Sequence, residues 1–117
     1  MNAIKKHLNS YVYAFRGIGL ALRYEINMTL HMIATIAVIA MNIFLEVQRA
    51  DWIVTLILVG IVWMSEIFNT AIEKLADRVN KDHDELIRQA KDLAAGAVLV
   101  ICIVAVTCGV FIYYPYL

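Results

Sequence analysis

From Met1 to Asn27 the chain sets Leu8, Tyr11, Val12, Phe15, Ile18, Leu22 and Ile26 at near-helical intervals among Lys5, Lys6, Arg16 and Arg23. That spacing gathers apolar side chains on one face and predicts an amphipathic helix lying at a membrane surface. A compact apolar core followed by a small-residue cleavage site is missing, so the segment is expected to stay in the mature protein rather than act as a secretory signal. Residues 28–45 then form an apolar run broken by Thr29, His31, Thr35 and Asn42 and closed by Glu46-Val-Gln-Arg49-Ala-Asp51. Trp52 opens a second run, 52–68, whose helical pattern continues past Glu66 through Ile72, Leu75 and Ala76 to Val79. This helix is expected to protrude from the bilayer. After a polar stretch, Leu93 to Leu117 holds no charge, and Tyr113, Tyr114, Pro115 and Tyr116 suggest an aromatic belt at the membrane surface. The predicted fold class is an all-α membrane protein: an N-terminal surface helix (1–27) and transmembrane spans at 28–45, 52–68 and 93–114, in one domain over 1–117.

Composition agrees with this pattern. Of 117 residues, 62% are hydrophobic and 17% charged, against roughly 45–50% and 25% in soluble domains. Three spans of roughly 20 residues each leave no room for a second soluble domain. Ten basic and ten acidic residues cancel, so the positive field of a nucleic-acid binder is absent. Cys102 and Cys108, six apart in an apolar run, form neither a disulfide framework nor a metal motif and are assigned to packing. Lys5, Lys6, Arg16 and Arg23 precede the first span, Arg49 alone follows it, and five positive residues lie between Lys74 and Lys91. The positive-inside rule therefore places the N-terminus and the second connection in the cytoplasm and the first connection and the C-terminus outside an inner or plasma membrane.

The most informative stretch is Ser65-Glu66-Ile-Phe-Asn69-Thr70-Ala-Ile-Glu73-Lys-Leu-Ala-Asp77. At about 100° per residue, Asn69, Glu73 and Asp77 fall within about 60° of Glu66 around the helix axis, so all four share a stripe. Glu66 and Glu73 are separated by about 10 Å along that axis, one deep and one near the headgroups. An ionisable group within a span is costly and points to function. The structural alternative has Asn69 and Thr70 joining helices, Glu73 and Asp77 solvated, and Glu66 paired with a basic group of a neighbour. A second set, Arg88-Gln-Ala-Lys91-Asp92, sits where the third span enters from the same side. Lys91 can neutralise a phosphate, Asp92 can hold Lys91 or receive a nucleotide hydroxyl, and Ala94-Ala95-Gly96-Ala97 permits close helix approach. The alternative is a snorkelling lysine beside a capping aspartate. Glu25, followed by Asn27 and His31, precedes the first span at a depth similar to Glu73. Two such carboxylates could share a magnesium ion that bridges nucleotide phosphates, although ordinary interfacial polarity would also place a glutamate there. His31 stands too isolated for a metal role, His7 and His83 lie in polar segments, and Tyr11 and Tyr13 could stack on a base or anchor the surface helix. Neither a Walker loop nor a kinase-type glycine loop is present, so a phosphate site must be built another way.

At these residues the sequence resembles the small bacterial integral-membrane diacylglycerol kinases and the related undecaprenol kinases. Tyr13-Ala-Phe-Arg-Gly17, Glu25-x-Asn27-x-x-x-His31, Glu66-x-x-Asn69-Thr-Ala-Ile-Glu73-x-x-x-Asp77 and Ala90-Lys91-Asp92-x-Ala-Ala-Gly96-Ala-Val carry the resemblance over nearly the whole chain. It implies a homotrimer that moves the γ-phosphate of Mg-ATP onto a membrane lipid hydroxyl, that of diacylglycerol or of undecaprenol. By the same resemblance Glu66 is the general base, and Glu25 and Glu73 hold magnesium with the ATP phosphates. Asn69 lies beside them, Lys91 and Asp92 contact the nucleotide, and Tyr13 with Asp82, His83 and Asp84 lies near it. The chain departs from the family at His83-Asp84, where members usually carry an aromatic–His pair. A reading of another class remains open: a non-catalytic membrane assembly or proton-relay subunit in which Glu66 is a counter-ion within the bundle.

Overall fold

Asn2 starts the first helix: its side-chain Oδ1 accepts from the Lys5 backbone N–H at 2.8 Å, satisfying one of the N–H groups that a helix start leaves without an internal partner. The computed structural model, which describes residues 2–79 and 84–117, contains helices α1 (Ala3–Tyr24), α2 (Ile26–Phe44), α3 (Arg49–Val79) and α4 (Glu85–Tyr113), ending in a 3-10 turn at Tyr114–Tyr116. No strand occurs among the described residues. Three helices, Ile26–Phe44, Arg49–Val79 and Glu85–Tyr116 with the terminal turn included, are long and apolar enough to cross a membrane.

The element boundaries differ from the expected ones in two places. The break between the first two helices falls on Glu25 alone, whose backbone is extended (φ −109°, ψ 117°) and which caps α1 and starts α2. Neither glycine nor proline marks it, so the pattern of apolar positions ran through it to Asn27. Second, α4 starts eight residues before Leu93, because Asp84 caps it by accepting from the Leu86 and Ile87 backbone N–H groups at 2.9 and 3.2 Å. The second helix continues past Glu66 to Val79 as expected, α3 running without interruption.

α2 ends in a Schellman turn. The Val47 N–H reaches the Asn42 carbonyl at 3.2 Å and the Glu46 N–H reaches that of Ile43 at 3.3 Å, with Glu46 at φ 51°. This is the left-handed conformation usually left to glycine. α3 packs most extensively on α4, less on α2, and α1 touches both α2 and α3. Ala76 and Ala94 are buried, where small side chains let helix backbones approach. Between α2, α3 and α4 lies a cavity of about 190 Å³ whose lining includes His31, Thr35, Val59, Val62, Cys102 and Tyr113.

A polar cluster ties the helices together where α2 turns into α3. Asn42, fully buried, donates through Nδ2 to Thr55 Oγ1 at 2.8 Å and accepts through Oδ1 from the Tyr113 hydroxyl at 2.6 Å. Tyr116 donates to Asp51 Oδ2 at 2.6 Å and accepts from the Gln48 backbone N–H at 3.1 Å. Two of the tyrosines expected to form a belt at the membrane surface are thus bonded within the chain.

Candidate active site

Glu66, Asn69 and Thr70 are buried on successive turns of α3, with Glu66 only 2% exposed. Glu73 is half-buried one turn further, and Asp77 is exposed near the end of the helix. The stripe deduced from spacing therefore runs from interior to surface.

α2 meets this stripe through two rungs about one helical turn apart. In one, Trp63 donates its indole N–H to Thr35 Oγ1 at 2.9 Å. In the other, His31 Nε2 stands 3.4 Å from Glu66 Oε2, the two side chains being 18% and 3% exposed. The Thr35 hydroxyl also donates to the His31 carbonyl at 2.7 Å, joining the rungs on the α2 side. His31 is the one ion-pair partner of Glu66 among the described residues. The sequence had set His31 aside as isolated; its presence inside a span was the signal that could have found it.

α4 closes the surface end of the stripe. Lys91 Nζ lies 2.8 Å from Asp77 Oδ1 and within electrostatic reach of Glu73. Lys91 is thus held by Asp77 rather than by its neighbour Asp92, because adjacent residues on a helix project about 100° apart. Asp92 is exposed, 3.9 Å from Arg88, which also pairs with Glu85.

Two buried oxygens of the stripe have no partner: Asn69 Oδ1 and Thr70 Oγ1. A buried polar atom left unpaired costs about 1–3 kcal/mol. Such atoms within one turn of a buried carboxylate mark a place where a ligand or a further helix would supply the missing donor.

The family model for prokaryotic diacylglycerol kinase matches residues 12–113. The chain belongs to the prokaryotic diacylglycerol kinase family. It is 34% identical over 114 residues to the undecaprenol kinase of Bacillus subtilis (strain 168), which covers 97% of this chain and 93% of that one. It is 31% identical over 94 residues to the diacylglycerol kinase of Escherichia coli (strain K12), covering 80% of this chain and 77% of that one. With the diacylglycerol kinase of Haemophilus influenzae (strain ATCC 51907 / DSM 11121 / KW20 / Rd), identity is 26% over 108 residues, or 92% of each chain. Membership makes this membrane protein a lipid kinase, and the reading as a non-catalytic subunit gives way to it.

The other positions singled out from the sequence lie on α1, at the α1–α2 break and at the start of α4. Glu25 sits half-buried at the α1–α2 break. Tyr13 is exposed on α1, with the Arg16 guanidinium 5.4 Å from its ring centre. The Asp84 carboxylate is engaged as the cap of α4. Asp82 and His83 lie outside the described residues.

Proposed function

We propose that the chain moves the γ-phosphate of ATP onto the hydroxyl of a membrane-embedded lipid alcohol, with Glu66 as the general base. The observation that carries this reading is the graded stripe on α3: a buried carboxylate, then two buried oxygens without donors, then a half-buried and an exposed carboxylate facing Lys91. A water-soluble donor reaches the exposed end and a lipid hydroxyl the buried end, so depth separates the two substrates. The Lys91 ammonium is placed to draw phosphate oxygens, with Asp77 fixing its position. The unpaired Asn69 Oδ1 would accept from a hydroxyl of either substrate. Asp92 and Tyr13 are assigned to the nucleotide, Asp92 through a ribose hydroxyl and Tyr13 by stacking. Asp84 is assigned near it through the loop that it closes, and Asp82 and His83 belong to the same assignment.

Glu25 and Glu73 would hold a magnesium ion. Both offer hard carboxylate oxygens and are half-buried, Glu25 at the α1–α2 break and Glu73 on α3. That donor set fits an ion that takes one or two protein carboxylates and completes its shell with phosphate and water. Bound there, magnesium supplies neutralisation of charge on the transferring phosphoryl group.

We assign undecaprenol as the acceptor ahead of diacylglycerol, on the nearly full-length similarity to an undecaprenol kinase. We further propose a homotrimer, with α1 lying along the cytoplasmic surface, the N-terminus inside and the C-terminus outside an inner or plasma membrane. Three spans make a thin wall, and the donorless Asn69 and Thr70 oxygens leave room for groups from a neighbouring subunit. The test is phosphorylation by the purified protein with labelled ATP against each lipid in mixed micelles. Label in undecaprenyl phosphate is expected, label in phosphatidate alone moves the assignment to diacylglycerol, and label in neither overturns the substrate reading.

A further inference from the structure

Glu66 is the deepest carboxylate of the stripe, and its ion-pair partner is a histidine rather than a lysine or arginine. The geometry points to His31 as a positioning residue for the catalytic base. The proposal rests on Glu66 being that base. Three observations carry it. His31 Nε2 lies 3.4 Å from Oε2 of Glu66, close enough to hold the carboxylate from one side. The α2 backbone at His31 is tied to α3, because Thr35, one turn along α2, bonds both the His31 carbonyl at 2.7 Å and the Trp63 indole at 2.9 Å. Trp63 and Glu66 are themselves one turn apart on α3, so the Trp63–Thr35 rung sets the register that brings His31 opposite Glu66. Cys102 of α4 also lies within electrostatic reach of Glu66. Among the described residues α1 brings no charged side chain into ion-pair distance of it.

In the reaction the lipid hydroxyl gives its proton to Glu66 and its oxygen bonds to the γ-phosphorus. The bond from that phosphorus to the β–γ bridging oxygen breaks, ADP leaves with the electron pair, and the proton on Glu66 passes to water. His31, beside one carboxylate oxygen, holds the Glu66 side chain in the orientation that meets the hydroxyl, so the geometry of proton transfer is set before the lipid arrives.

The experiment compares His31→Ala, His31→Gln and Glu66→Gln in kcat and in KM for Mg-ATP. For His31→Ala, kcat is expected to fall about tenfold or more, with KM for Mg-ATP within about twofold of wild type. His31→Gln keeps a polar side chain of similar reach opposite the carboxylate and should recover most of the lost kcat. Equal impairment of the two variants overturns the proposal, as does an unchanged kcat in His31→Ala or a loss confined to KM. Should His31→Ala fail to assemble, His31→Phe, which fills the same space without a polar atom, takes its place. Glu66→Gln separates the two claims. If it still turns over, the base assignment has failed; if it is inactive while His31→Ala keeps the wild-type kcat, only the role of His31 has failed.

Discussion

Where α2 turns into α3, Asn42 has both amide atoms bonded, its Nδ2 to Thr55 and its Oδ1 to Tyr113. Toward the other end of α3, Asn69 is almost as deeply buried, yet its Oδ1 has no donor, and neither does the Oγ1 of Thr70 beside it. The residue type and the depth are nearly the same; the company differs. A buried amide whose bonds are complete contributes to holding helices together, whereas one left open carries a desolvation cost that the fold alone does not offset. That contrast separates architecture from chemistry in a molecule where both are made from the same few polar residues.

The contrast can be broken most forcefully at Glu66. Glu66→Gln keeps the shape and should lower turnover by about 10²–10⁴-fold with the melting temperature in detergent little changed, as phosphoryl-transfer assays beside thermal scans would record. Near-normal turnover would remove the chemical half of the comparison. Asn42→Ala should do the reverse. Deleting both bonds at a fully buried position is expected to cost about 2–3 kcal/mol of stability, read as earlier thermal unfolding, with KM for Mg-ATP unaltered. Thr70→Val sharpens the point, since it replaces an unpartnered buried hydroxyl by a methyl of similar size. With a neighbouring subunit completing the hydroxyl it should lower stability by about 1 kcal/mol, and a gain of that size would show that no neighbour bonds it. The smallest effect is at Glu46, held at φ 51° in the Schellman turn. Glu46→Gly should stabilise by about 0.5–1 kcal/mol without touching catalysis, as thermal scans and turnover assays together would show.

Much of this was legible in the sequence because membrane helices and one-sided stripes are local patterns. The three apolar runs gave three helices, and the seven-residue step from Glu66 to Glu73 placed both carboxylates on one stripe of α3 before any contact was known. Pairings between helices were not legible. Lys91 could be matched with its neighbour Asp92 by adjacency, but the partner came from α3, fourteen residues away. His31 looked solitary because nothing local shows that Thr35 and Trp63 fix the register of α2 against α3. The position of Tyr113 against Asn42, 71 residues apart, was hidden for the same reason. The break at Glu25 was missed on different grounds, since it uses none of the residues that usually signal one.

That break is a joint one residue long. Tyr24 ends α1 and Ile26 starts α2, so Glu25 is a pivot with no slack on either side. Tilting α1 therefore swings the Glu25 carboxylate like a handle on a short axle. If α1 lies on the membrane surface and magnesium is gripped at Glu25, the pitch of the N-terminal helix and the loading of the donor nucleotide are mechanically geared to each other.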